Sequence, residues 1–267
     1  MRIRYSLISF IGKSLPEGDV ATLYDNIGRT YSGRRQSDPR IAAAIENAIH
    51  GCGQILNVGA GAGSYEPNSR LVVAVEPSRT MIAQRAAGSA PVVQARAESL
   101  PFRDASFDAV VGILTVHHWE GQQQGFAECA RVARSRVVFL TIDIDVTARF
   151  WLLDYLPDLL LFDRPIFPSF ERFEEALGPI ELTEVPIPAD CRDGFLGAYW
   201  KRPRAYLDPA VRASISTFSK IGDVTQQLAR LQNDIDSGKW QQRYSSLQNI
   251  DELDLGYRLV TARISHE

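Results

Sequence analysis

Runs of apolar, mostly β-branched residues recur along the chain at 54–58, 71–75, 92–94, 108–114 and 136–142. Helix-patterned stretches at 80–87 and 122–133 separate them, and a further helix is expected at 41–49 behind the breaker Pro39. Strands alternating with helices over such short connections predict an α/β domain on a parallel sheet with right-handed crossovers. Farther on, 169–177 reads as a helix closed by Gly178-Pro179, 181–187 as a strand and 255–264 as the last strand. Two stretches fall outside this alternation. One, 145–168, is dense in Phe, Trp, Tyr and Leu; the other, 189–250, is a long, mostly helical excursion between the last two strands. They either form a lid over a pocket or extend the core with amphipathic helices.

The first strand runs directly into Asn57-Val58-Gly59-Ala60-Gly61-Ala62-Gly63-Ser64. Glycines admit positive φ and let the backbone approach a ligand that a Cβ would block, and a helix following the turn is expected to present unpaired N–H groups. A dinucleotide turn of the form G-x-G-x-x-G requires glycine where Ser64 stands, so the spacing points away from that use. After the second strand, Val75-Glu76-Pro77-Ser78 sets a carboxylate at the strand's carboxyl end, beside the turn. There it can accept hydrogen bonds from both hydroxyls of a ribose; the plain alternative is an exposed strand-end glutamate.

Composition narrows the partners. The 267 residues are 45% apolar, ample for a packed core, and the formal net charge of -3 argues against general affinity for nucleic acid or an anionic membrane. The apolar run at 5–11 is too short for a signal peptide and lacks a small-residue cleavage pattern, while 150–162 is interrupted by Asp154, Pro157 and Asp158. Neither is expected to enter a membrane. Cys52, Cys129 and Cys191 fall in no metal-ligand spacing and are read as structural residues of a cytoplasmic protein, with no metal expected. No pattern sets an oligomeric state.

The segment Ala97-Glu98-Ser99-Leu100-Pro101-Phe102 is more specific. Together with Leu114-Thr115-Val116-His117-His118-Trp119 and Asp254-Leu255-Gly256-Tyr257-Arg258-Leu259, it resembles the class I S-adenosylmethionine-dependent methyltransferases, in the group that includes ubiquinone and menaquinone C-methyltransferases. The resemblance implies a Rossmann-like fold: a seven-stranded, mostly parallel sheet with an antiparallel last strand and a helical lid. It implies one domain over 1–267, with 1–50 covering the cofactor, 51–144 binding it, and 145–168 and 189–250 as the lid. The cofactor would be S-adenosylmethionine and the product S-adenosylhomocysteine, the methyl group passing by direct in-line displacement to a small organic acceptor. Cofactor contacts are assigned by the resemblance to Asn57, Gly59, Gly61, Gly63, Glu76, Pro77, Ala97, Glu98 and Leu114, with Ala97 and Glu98 at the adenine. In the similar opening segment 24–35, Tyr31 and Arg35 would meet the methionine end, where a guanidinium fork suits a carboxylate. Asn57 departs from the group at a strand end where an acid is common, and Arg96 departs where Asp is common.

At the acceptor side, His117 and His118 follow the fourth strand at the carboxyl edge of the sheet and are candidates for a proton-accepting base. Packed, loop-anchoring histidines are the alternative. Thr115, with Leu114, would wall the methyl site. Asp190, Asp193, Tyr199 and Trp200 are candidates for the acceptor pocket, or else turn caps and core aromatics. Three other functions are expected to compete: a cofactor-binding protein without turnover, a NAD-dependent oxidoreductase, and a methyltransferase acting on a macromolecule, the last weakened by the lack of a basic stripe with interleaved aromatics.

Overall fold

The computed structural model describes residues 36–67 and 69–266. Tyr31, Arg35 and most of the expected covering segment 1–50 lie outside the described residues. The strands are β1 (Gln54–Val58), β2 (Leu71–Val75), β3 (Val92–Val93), β4 (Phe107–Ile113), β5 (Ala133–Ile142), β6 (Ile180–Glu184), β7 (Ile187–Pro188), β8 (Glu252–Leu253) and β9 (Tyr257–Arg263). Seven of them form a sheet in the order β3-β2-β1-β4-β5-β9-β6. β1 and β2 pair in parallel with Gln54 opposite Leu71 and Val58 opposite Val75. β9 is antiparallel to both neighbours, Ile142 of β5 lying opposite Tyr257 and Ile180 of β6 opposite Ala262. The expected sheet, with its last strand reversed, is therefore present.

The parallel strands β1, β2 and β4 read as nearly continuous apolar runs because both faces are covered, as parallel sheets require. On one face Ile55, Val72, Ala109, Val111, Val138 and Leu140 share a buried cluster with Ile41 and Ile45 of α1 (Pro39–Ala48) and with Phe150, Trp151, Tyr155, Tyr206 and Trp240 from the two excursions. The opposite face buries Leu56, Val58, Val73, Val110, Val137 and Phe139. It packs against a later helical layer carrying Phe126 and Phe173. Each such side chain contributes roughly 1.5–3 kcal/mol on burial. Among the described residues no helix is long and apolar enough to cross a membrane.

Several boundaries differ for identifiable reasons. Pro39 does not break the first helix but opens it: Asp38 caps the end by accepting from the Arg40 amide, and proline's missing N–H costs nothing at a first turn. α2 (Arg79–Ala83) begins one residue earlier than expected because Ser78 caps it, and it ends before Arg85. α3 (Gln122–Val132) passes straight into β5, which starts three residues early. The strand expected at 181–187 splits at Pro186, which has no N–H to give. Beyond it β7 pairs with β8, pinching together the two ends of the second excursion, and Ala189 N donates to Asp251 O at 2.7 Å. β4 stops at Ile113 because Leu114 turns to φ 50°. Of the excursions, the first contains α4 (Ile144–Thr147) and α5 (Asp158–Asp163) and leads to α6 (Phe170–Leu177); the second is a series of short helices.

The largest departure lies between β1 and β2. Among the described residues no helix follows the glycine turn: 59–67, 69 and 70 cross to β2 as turn and loop. Parallel strands ordinarily need a crossover of a dozen or more residues, usually a helix. Here positive-φ glycines and Pro67 leave no run long enough to nucleate one. Tyr65, at φ 60°, buries its ring in the space beneath.

Candidate functional site

The strand order reverses between β1 and β4, which opens a crevice beyond the carboxyl ends of the strands. The glycine turn stands at that crevice. Gly59, Gly61 and Gly63 have φ of 70°, 53° and 99°. At Gly59 a Cβ would lie 1.9 Å from Thr115 Oγ1, so both conformation and space demand glycine. The amides of Gly59 and Ala60 donate to Val75 O at 2.9 and 3.0 Å, which holds the turn against the end of β2. Glu76, next along β2, is 5% exposed. Its Oε2 accepts from Gly61 N at 2.8 Å and its Oε1 from Ser78 N at 2.9 Å. A carboxylate offers about four acceptor positions, and these two bonds fix its plane. The carbonyl of Pro77 accepts from Gln94 Nε2 at 3.0 Å.

Behind the turn is a polar cluster that sequence reasoning missed. Asn57 is 2% exposed; its Nδ2 donates to Glu66 Oε1 over a long 3.4 Å, and its Oδ1 meets no donor among the described residues. Arg85 from beyond α2 closes on the same carboxylate, Nη2 to Glu66 Oε1 at 2.6 Å, with both side chains nearly buried. Arg85 also donates to Gly61 O at 3.2 Å and Ala90 O at 3.1 Å. The signal available in the sequence was Tyr65-Glu66-Pro67 immediately behind the glycines, where an acid enters the crossover.

Across the crevice, Thr115 is buried against Gly59 and Gly112, and Leu114 N donates to Leu140 O at 2.8 Å. His117 and His118 form one 3-10 turn, Val116–His118, with their rings 3.8 Å apart. His117 stacks at 4.2 Å on Phe167 of the first excursion. Ala97 is buried, and Glu98 Oε1 accepts from Gly121 N at 3.0 Å at the start of α3. Arg96 pairs with Glu120 at 2.8 Å on the surface. The structure thus gathers Asn57, Gly59, Gly61, Gly63, Glu76 and Thr115 at the turn, with the two histidines following Thr115.

The acceptor candidates of the second excursion all have protein partners. Tyr65 Oη donates to Asp193 Oδ2 at 2.9 Å and accepts from Asp38 N at 3.2 Å. Asp193 is 1% exposed and its Oδ1 also accepts from Gly194 N at 2.7 Å. Burial alone would raise the Asp38 pKa, but the Arg40 side chain and the amides of Arg40 and Arg192 outweigh it and bring it to about 2. Asp190 is exposed and pairs with Arg40 at 2.7 Å, which holds its carboxyl below the ordinary range. Trp200 is fully buried, Nε1 donating to Ile187 O at 2.8 Å. Tyr199 lies against Tyr206, with the Arg202 guanidinium 4.9 Å over its ring. Asp193 is thus joined directly to the crossover behind the turn.

Comparison with known proteins places this geometry. The methyltransferase domain family matches residues 51–141. The uncharacterized methyltransferase YcgJ of Bacillus subtilis is 29% identical over 101 residues, a stretch that spans 34% of this chain and 40% of that protein. The YcgJ structure shares the fold at TM-score 0.50 and 18% identity, over 86% of this chain and 99% of that one. The crystal structure of a candidate methyltransferase from an antibiotic biosynthesis pathway of Anabaena variabilis aligns at TM-score 0.80 with 33% identity, covering 86% of this chain and 99% of that one. With a glycine turn and strand-end Glu76 at the switch point of this sheet, and with a 33% identical structure matched over nearly its whole length, the chain belongs to the class I S-adenosylmethionine-dependent methyltransferases.

Proposed function

We propose that this protein transfers a methyl group from S-adenosylmethionine to a small organic acceptor. The observation that carries the cofactor half is the Glu76 carboxylate, buried and clamped between the Gly61 and Ser78 amides at the mouth of a positive-φ turn. An oriented, desolvated carboxylate suits a vicinal diol, and charge-assisted bonds of this kind are short and strong. Gly59, Gly61 and Gly63 let the backbone lie against the cofactor, and the buried Oδ1 of Asn57 supplies an acceptor at the strand end. Ala97 and Glu98 would border the adenine, Pro77 and Leu114 the nucleoside, and Tyr31 and Arg35 the methionine end. When bound, the cofactor supplies a methyl group already activated on a sulfonium, so the chain need only orient a nucleophile in line with it and exclude water.

That task falls to the walls of the crevice. Thr115 fills the space over Gly59, and His117, backed by Phe167, stands with His118 where a base could take a proton from a phenol or alcohol. The excursions 145–168 and 189–250, whose aromatics cover one face of the sheet, would also serve as the lid over the acceptor end, with Asp190, Asp193, Tyr199 and Trp200 as its candidate residues. The net charge of -3 favours a small molecule over nucleic acid as acceptor, in a cytoplasmic setting. The test is incubation of the protein with methyl-labelled S-adenosylmethionine and a small-metabolite extract. Label is expected in a low-mass product, and His117→Asn or His118→Asn should lower turnover without weakening cofactor binding if that histidine is the base. Label confined to protein or RNA, or no transfer at all, contradicts the proposal.

A further inference from the structure

Among the described residues the glycine turn has no helix behind it, and the cluster in that place is built around an ion pair. Glu66 and Arg85 have side chains only 8% and 5% exposed and meet at 2.6 Å. A pair this dry is costly to form unless further hydrogen bonds satisfy it. Glu66 receives such bonds from Ala90 N at 3.2 Å and Asn57 Nδ2 at 3.4 Å, while Arg85 gives one to Gly61 O at 3.2 Å. Two polar atoms in the cluster remain without partners among the described residues, Asn57 Oδ1 and Arg85 Nε. The carboxylate decides which way the Asn57 amide faces, because only the NH2 end can approach an anion. The carbonyl end is then left as an acceptor at the carboxyl end of β1, two residues before Gly59.

We propose that Glu66 is a positioning residue of the cofactor site: through Asn57 it fixes the orientation of a buried acceptor, and through Arg85 it holds the Gly61 peptide of the turn. It follows that Asn57 is the neutral partner this site requires. An aspartate at 57 would bring a second carboxylate to about the distance of the present Asn57–Glu66 contact, where the single Arg85 guanidinium offsets only one charge and ionising both leaves a buried anion uncompensated. The inference rests on the reading that this turn binds S-adenosylmethionine.

The experiment is a swap cycle on the full chain with N57D, E66Q and N57D/E66Q, each titrated calorimetrically with S-adenosylmethionine and each melted without ligand at pH 7 and pH 5. N57D is expected to weaken binding at least tenfold, and the double variant, which returns the site to one acid and one amide, to recover to within about threefold of wild type. In the ligand-free melts the deficit of N57D relative to wild type should shrink as the pH falls and one carboxyl protonates, and it should be absent in the swap. A purely space-filling role for Glu66 would give no such pH dependence and no rescue. N57D binding as tightly as wild type, or a double variant no better than N57D, overturns the inference. A wild-type protein that binds no S-adenosylmethionine overturns the functional reading instead, and the ligand-free cycle still decides the pairing.

Discussion

At the scale of single residues, the site shows how strongly context reassigns a side chain. Asn57 reads in sequence as a weakened strand end, yet in the structure it is the uncharged neighbour of a buried ion pair. Nothing in a linear pattern announces that Glu66 and Arg85 meet, since they are joined only by the fold of a crossover and the end of a short helix. Glu76 was legible because its chemistry depends on a strand end and a turn that both follow from local pattern. A second buried acid makes a separate prediction. Asp163 is 7% exposed and accepts from Thr217 Oγ1 at 2.9 Å. Burial, opposed by that hydroxyl and by Lys220, pushes its pKa up to about 6. A raised carboxyl stabilises the fold fully below its unfolded pKa near 4, and that contribution is lost as the pH rises through 6, a change of roughly 3 kcal/mol. Asp163→Asn should therefore match wild type in urea unfolding at pH 4 and exceed it at pH 8. A variant less stable at both pH values would show that ionised Asp163 is favourable here.

At the scale of elements, β1 and β2 match their expected limits, because uninterrupted apolar runs flanked by glycine or polar residues leave little choice of boundary. Two of the misjudged elements also depend on partners far away in sequence. Pro186 ends β6 because the next pairing partner is β8, and the helix expected behind the glycines is replaced by Tyr65, whose hydroxyl reaches Asp38 and Asp193. That contact joins the crossover, the cap of α1 and the second excursion. Tyr65→Phe leaves the ring in place but leaves Asp38 N and Asp193 Oδ2 without this partner, and a lost partner in a buried site costs about 1–3 kcal/mol. Urea unfolding should show a loss in that range. A change below a few tenths of a kcal/mol would mean that the three segments are held by apolar packing alone.

At the scale of the whole molecule, the sheet separates structure from chemistry. One face is covered by α3 and α6 and the other by α1 and the two excursions, while the crevice beyond β1 and β4 collects the turn, Glu76, Thr115 and the histidines. The fold class, and the meeting of the glycine turn with the strand-end acid, were legible because each follows from a contiguous stretch of chain. The acceptor end was less so: it draws on an excursion whose side chains serve packing, capping and pairing at once. The central claim is that this crevice holds S-adenosylmethionine through Glu76, and calorimetric titration of wild type and Glu76→Ala tests it most directly. Wild type is expected to bind S-adenosylmethionine at one site and not NAD. A charged hydrogen bond is worth about 1.5–3 kcal/mol, so the variant should bind at least about tenfold more weakly. Equal affinity in the two proteins, or binding of NAD in place of S-adenosylmethionine, would contradict it.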